Sequence, residues 1–206
     1  MVRKTKEDAE LTRKRIINSA RAVFLSRGVS RSTLEHIATH AEVTRGAVYW
    51  HFKNKTEIYQ AIREQVFLPL IDRMDDSLTL ASNEDPLTQI ENSLCQTIDG
   101  LNNNLEMRQM YEIMMIKCEY VDEFASVPQE ILSNCSSIIS KIKHVYERAE
   151  SQGILAVKLS PLDLALDTHL FFSGLLHLWV KDTDGSMFRH QAKELIKAHI
   201  NLRRKI

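Results

Sequence analysis

The stretch Val43-Thr-Arg-Gly-Ala-Val-Tyr-Trp-His-Phe-Lys-Asn-Lys55 decides how the rest of the chain is read. It gathers side chains that donate hydrogen bonds, Thr44, Arg45, Tyr49, His51, Lys53 and Lys55, around two small residues, Gly46 and Ala47. Thr44 can cap a helix that begins at Arg45. Val43 before the cap and Val48 inside the helix have the spacing of a hydrophobic staple. The helix so defined, about Arg45 to His51, is too short and too polar for a core element. Phosphate oxygens accept from Thr, Tyr, His, Lys and the N–H groups of a helix start, and Arg can grip a guanine edge with two bonds. Small residues let the helix backbone come close to such a partner. The pattern fits a helix laid against duplex DNA. The competing reading is a polar turn between helices, with Tyr49 and Trp50 half-buried.

Working outward, the preceding residues form two more helices. Ile16, Ile17, Ala20, Val23 and Phe24 make one apolar stripe of a helix from about Glu7 to Arg27, which Gly28 ends. Ser32-Thr-Leu-Glu35 reads as a capping box with Ser32 as the cap and Glu35 reaching back. It opens a short helix with Leu34, Ile37, Ala38 and Ala41 inward, and Ala41-Glu-Val-Thr44 breaks it. Two short capped helices with a four-residue break are a helix-turn-helix. Downstream, Asn54-Lys-Thr-Glu57 is a second capping box. It opens a long helix with Ile58, Ile62, Val66, Leu70, Met74 and Leu78 in step, kinked or interrupted at Pro69. Further helices are expected from Pro86 to about Asn102, Glu106 to Glu119, Pro128 to Gln152, Pro161 to Val180 and Ser186 to Arg204. No run alternates as a strand does, and 6 Gly with 4 Pro are too few for a turn-rich β fold. The fold class is all-α. An N-terminal three-helix domain over residues 1–54 carries the helix-turn-helix, and a helical ligand-binding and dimerisation domain spans 55–206.

The net charge of zero hides an asymmetry. Residues 1–60 carry 12 Lys and Arg against 6 Asp and Glu, and the rest of the chain is acidic by the same margin. A basic N-terminal third is what a nucleic-acid-binding module on a separate body carries. No stretch reaches the roughly 18 apolar residues of a membrane span, and no apolar region follows the basic N-terminus as a secretory signal requires. The cysteines, Cys95, Cys118 and Cys135, are an odd set without C-x-x-C spacing, which fits a reducing cytosol. Cys118 beside Lys117 is a reactive-thiol candidate against a plain buried cysteine. His36 and His40 share a helix face at metal-ligand spacing, but no H-E-x-x-H accompanies them. No G-x-S-x-G, Walker loop or G-x-G-x-x-G is present, so an enzyme is not expected, nor a catalytic residue, metal or cofactor.

Thr44-Arg-Gly-Ala-Val-Tyr-Trp-His-Phe-Lys-Asn-Lys55, preceded by Arg31-Ser-Thr-Leu-Glu-His-Ile-Ala38 and Phe24-x-x-x-Gly28, resembles the DNA-binding domain of the tetracycline-repressor (TetR) family. The N-terminal VRKTKEDAE and Lys117-Cys-Glu-Tyr120 are similar to its AcrR/TtgR/MtrR branch, repressors of multidrug efflux pump operons. The resemblance implies a cytoplasmic homodimer bound to double-stranded operator DNA. By motif position Arg45, Gly46 and their neighbours, Thr44 among them, face base edges. Tyr49, His51 and Lys55 face phosphate, and Ser32 and Thr33 lie near the DNA backbone. Trp50 is expected to pack within the domain, and Arg3, Lys4 and Lys6 to form an arm or a solvated tail. The resemblance also implies a pocket for a small hydrophobic inducer, at Phe67, Tyr111, Met114, Met115, Ile138, His169, Phe172 and Ser173. The dimer is expected through the helices near 161–180 and 186–204, with Leu162, Leu166, Phe171, Leu175, Leu178, Leu195 and Ile196 supplying apolar surface. The alternative within the family is a regulator of metabolic genes that senses a specific metabolite. Outside it stands a helical enzyme or adaptor with an accidental helix-turn-helix.

Overall fold

The computed structural model describes residues 6–66, 68–79 and 84–205, without the side chains of 68, 70–73 and 75. Arg3, Lys4 and Phe67 lie outside the described residues. The chain forms two compact units, residues 1–68 with 106–126, and residues 69–105 with 127–206. Among the described residues ten α-helices account for nearly all regular structure, and extended chain pairs only as a single bridge between Leu155 and Arg204.

In the first unit α1 (Lys6–Arg27), α2 (Leu34–His40), α3 (Arg45–His51) and α4 (Lys55–Val66) pack together with α7 (Leu105–Glu112). The predicted stripe of α1 is its buried face: Ile16, Ile17, Ala20 and Phe24 have no exposed surface. Each of the larger three contributes about 1.5–3 kcal/mol by leaving water. Gly28 ends α1 in the left-handed region at φ 79°, with its N–H on the Phe24 carbonyl. The next residue, Val29, donates to the carbonyl of Lys117, which fastens the α1–α2 loop to the chain beyond α7. That chain is not regular α-helix. Ile113–Lys117 is a π-helical turn, followed by a 3-10 turn at Asp122–Phe124.

The caps follow the sequence with one correction. Thr44 accepts from the Ala47 N–H at 3.1 Å, and Asn54 from the Glu57 N–H at 2.9 Å. For α2, however, the cap is Thr33, whose hydroxyl oxygen accepts from the His36 N–H, and not Ser32. Ser32 is only 2% exposed and donates its hydroxyl to the Gly28 carbonyl at 2.6 Å. That carbonyl is among those α1 leaves unpaired at its end, and it claims the serine first.

The long helix expected after Asn54 is two helices, α4 ending at Val66 and α5 (Leu68–Thr79) beginning two residues later. Pro69 stands in the first turn of α5, where its missing N–H costs no bond. The second unit holds α5, α6 (Pro86–Asn103), α8 (Val127–Ser151), α9 (Pro161–Lys181) and α10 (Ala192–Asn201). α8 lies along α9, and α6 packs on α8 and α10. Leu87, Ile90, Tyr146, Ala165, Trp179 and Ile196 make the core. Tyr146 satisfies its buried hydroxyl with Thr168 at 2.7 Å. Asp85 and Ser160 cap α6 and α9, each ahead of a proline in the first turn.

α10 is shorter than the predicted Ser186–Arg204. The Asp182 carboxylate draws the chain into a loop first, accepting from the N–H groups of Arg189, Phe188 and Met187 at 2.7–3.2 Å. These bonds, the one from Arg189 foremost, hold its pKa at about 2, below the ordinary 3.8. A carboxylate more acidic in the folded state stabilises the fold above its unfolded pKa, and that contribution fades as pH falls through the folded one. The protein is therefore expected to lose stability between about pH 4 and pH 2 in part through this loop. In acid unfolding followed by circular dichroism, Asp182→Asn should flatten that part of the profile. An unchanged slope would refute the assignment.

Candidate nucleic-acid interface

α3 is set on the surface by one residue. Val48 is fully buried, and the other side of the helix carries Arg45, Gly46, Tyr49 and Trp50, all exposed. Thr44 at its start is exposed as well. The Arg45 guanidinium donates to the Tyr49 hydroxyl at 3.2 Å and lies 5.3 Å from the centre of its ring. The hydrogen bond to Tyr49 raises the Arg45 pKa further. Arg45 is thus a permanent cation held in one direction on the outer face, as base-edge reading requires. Gly46 has room: a Cβ built on it meets nothing nearer than the Thr44 hydroxyl oxygen at 3.9 Å. The fold does not demand a glycine there, which leaves the close approach of another surface as its reason. Phe52 closes the helix from beneath, buried, with Arg13 5.1 Å over its ring.

Trp50 corrects the sequence reading. It is 73% exposed rather than packed within the domain, and its indole meets His51 edge-on at 4.5 Å. The helix turn that buries Val48 puts Trp50 on the outer face. His51 is half-buried. An exposed tryptophan beside an exposed arginine and tyrosine is a large contact surface that the free chain does not use.

The remaining predicted contacts are placed less simply. Thr33 is exposed at the start of α2, whereas Ser32 is buried. The Lys55 ammonium already has three acceptors: the carbonyls of Val29 and Ser30, each at 3.2 Å, and the Glu123 carboxylate at 3.2 Å. An ammonium has three donors, so Lys55 must give up one of these bonds to reach a phosphate. Thr56 adds a bond to Glu123 at 3.3 Å, and the Phe124 ring stacks edge-on against Tyr59. No local pattern could reveal this clasp, because its partners lie far apart in the chain. Cys118 stands close by, and burial pushes its thiol up to about 11, away from the thiolate form a reactive cysteine needs. Among the described residues no cluster of three or more metal-ligating side chains occurs, around His36 and His40 or elsewhere.

The predicted ligand residues fall in both units. In the first, Tyr111 and Met114 are buried and Met115 is half-buried, on α7 and its π-helical turn. In the second, Ile138 on α8 and Phe172 on α9 are buried, and His169 and Ser173 on α9 are half-buried. His169 and Ser173 meet at 3.4 Å, and burial lowers the His169 pKa, favouring the neutral ring. The expected dimer residues also divide. Leu162, Leu166, Leu178 and Leu195 are exposed and Phe171 is partly so, but Leu175 and Ile196 belong to the core. Leu170 and Leu202, not foreseen, are more exposed than any of them, at 70% and 76%.

Residues 16–62 match the bacterial regulatory proteins of the tetR family, and residues 85–204 match the C-terminal region of MAATS-type transcriptional repressors. The chain belongs to the TetR family. Its helix-turn-helix is therefore the DNA-binding element of a family of regulators that dimerise and bind small molecules. Among its TetR-family relatives is the transcriptional regulator TtgR of Pseudomonas putida, 35% identical over 184 residues, which cover 87% of this chain and 85% of TtgR. Among solved structures, NalD, the secondary repressor of the MexAB-OprM multidrug efflux pump in Pseudomonas aeruginosa, superposes with a TM-score of 0.81 at 28% identity, over 97% of this chain and 99% of NalD. SmeT, the repressor of the Stenotrophomonas maltophilia multidrug efflux pump SmeDEF, was solved with triclosan. That complex gives a TM-score of 0.79 at 26% identity, covering 95% of this chain and 92% of SmeT. Among the described residues no helix is long and apolar enough to cross a membrane.

Proposed function

We propose that this TetR-family chain is a ligand-responsive repressor acting in the cytoplasm as a homodimer, that it binds operator DNA through α3, and that its target is a multidrug efflux pump operon. The observation that carries the reading is the outer face of α3, where Arg45, Tyr49 and Trp50 stand exposed around a glycine the fold does not require. The efflux target is supported by the relatives, which include repressors of such pumps. In the proposed complex Arg45 reads a base edge while Thr44, Tyr49 and His51 grip phosphates, with Thr33 at the start of α2. Lys55 joins them by exchanging one bond of its clasp. The inducer contacts the α8–α9 face at Ile138, His169, Phe172 and Ser173.

The test is fluorescence anisotropy on duplexes taken from upstream of neighbouring transporter genes, repeated across a salt series. Affinity should fall with salt at a slope of about −0.9 per phosphate contact. His51→Ala should weaken all duplexes alike and flatten that slope. Arg45→Ala should instead relax sequence preference, by about 1–3 kcal/mol for a lost bidentate base contact. Undiminished preference in Arg45→Ala would remove it from base reading. Tight binding only upstream of metabolic genes would assign the chain to a metabolite-sensing role.

A further inference from the structure

Gly174 has no evident role within one chain. It sits in the middle of α9, exposed, and a Cβ built on it meets nothing within 4 Å. Glycine inside a helix costs stability relative to alanine, because its backbone has more freedom to lose. Nothing in the chain itself offsets that cost. The surroundings are unusual. Leu166, Leu170, Gly174 and Leu178 succeed one another at four-residue intervals, so they form a single ridge along α9, and all are exposed. Leu195 and Leu202 of α10 are exposed too. A ridge of leucines with one residue missing has a notch, and helices that pack by their fourth-residue ridges cross where one ridge fits between others.

The charges on the same side of α9 are complementary to themselves in reverse. Asp167 lies seven residues before Gly174 and Lys181 seven after, as Leu170 and Leu178 lie four before and four after. A helix laid antiparallel on its own copy about Gly174 sets acid opposite base and leucine opposite leucine. Such a self-matching patch is the mark of an isologous interface, which makes a second copy of this chain the occupant.

We infer that α9 crosses the α9 of a second copy at Gly174, antiparallel, and that the glycine is there to let the two backbones approach. The inference rests on the homodimer of the proposed function and adds where, and in which direction, its helices meet.

The test compares Gly174→Ala, Gly174→Leu and Leu178→Asp in the full chain, by sedimentation over a dilution series and by thermal melting. Neither glycine variant disturbs a contact within the chain, so both should keep the helical circular dichroism of the parent. At the crossing, alanine should weaken the dimer at least tenfold, and leucine should leave monomer at micromolar concentration. At a merely solvent-exposed position, alanine should leave the dimer as tight as before and raise the melting temperature; that result overturns the inference. If Leu178→Asp gives monomer while both glycine variants stay dimeric, the face is right and the crossing lies elsewhere on it. If Leu178→Asp also stays dimeric, or the parent chain is itself monomeric, the dimer face is wrong and the crossing falls with it.

Discussion

Replacing Leu170 and Leu178 together with aspartate is expected to turn the protein into a folded monomer and to lower operator affinity by a factor on the order of 10²–10⁴. Both leucines are exposed in the single chain, so the substitutions remove no internal packing. In a dimer each would lose the roughly 1.5–3 kcal/mol of a buried leucine, and each new carboxylate would have to be buried without a partner. The effect on DNA is larger than that on either contact alone. A helix-turn-helix dimer engages two half-sites about 34–36 Å apart, and the second engagement is favoured by the high effective concentration that the dimer supplies. A monomer keeps its α3 and its non-specific, salt-dependent grip but loses that advantage. Light scattering together with anisotropy on a full palindrome and on a single half-site checks this. A monomeric variant that holds the palindrome as tightly as the parent would sink the dimeric mode of binding.

Ser173→Trp is the second large expectation. Ser173 is half-buried on α9 beside His169 and Phe172, and tryptophan there fills the room proposed for the inducer. Release of operator by 100-fold requires about 2.7 kcal/mol of coupling, within the usual range. That coupling exists only if the ligand favours the conformation that does not fit DNA, since equal affinity for both shifts nothing. The variant should therefore bind its operator as the parent does and no longer release it. Calorimetry with a panel of dyes, antibiotics and plant phenolics, run beside operator-release assays, decides the matter. Ligands that bind the variant as well as the parent place the site elsewhere, and ligands that bind the parent without weakening its DNA complex remove the coupling.

What could be read from the sequence was what neighbouring residues determine together. The buried stripe of α1, the caps at Thr44 and Asn54, and the glycine that ends α1 are decided within a few residues of themselves. The same holds for the exposed pair Arg45 and Tyr49, one helical turn apart. Where a distant or competing group intervenes, local reading goes astray. Ser32 looked like a cap until the Gly28 carbonyl took its hydroxyl. The start of α10 was displaced by a carboxylate at Asp182 whose loop no helical periodicity announces. Trp50 was assigned to the interior because tryptophan usually goes there, but burial of Val48 had already fixed which side of α3 faces inward. Leu175 and Leu178 are one residue type on one helix, and only the packing of α9 on its neighbours separates core from surface.

The π-helical turn at Ile113–Lys117 bears on how this chain tolerates insertions and deletions. Such a turn is an α-helical turn carrying one surplus residue. Removing a residue between 113 and 117 would let the helix close into regular α geometry, but everything after it would swing by about 100° around the axis. The Lys117 carbonyl, which holds the Val29 N–H at 2.8 Å, would turn away from the loop that leads into the helix-turn-helix. The surplus residue thus fixes the phase between α7 and that loop. A change of length there is felt at the start of α2, while the same change at an exposed loop tip would pass with little consequence.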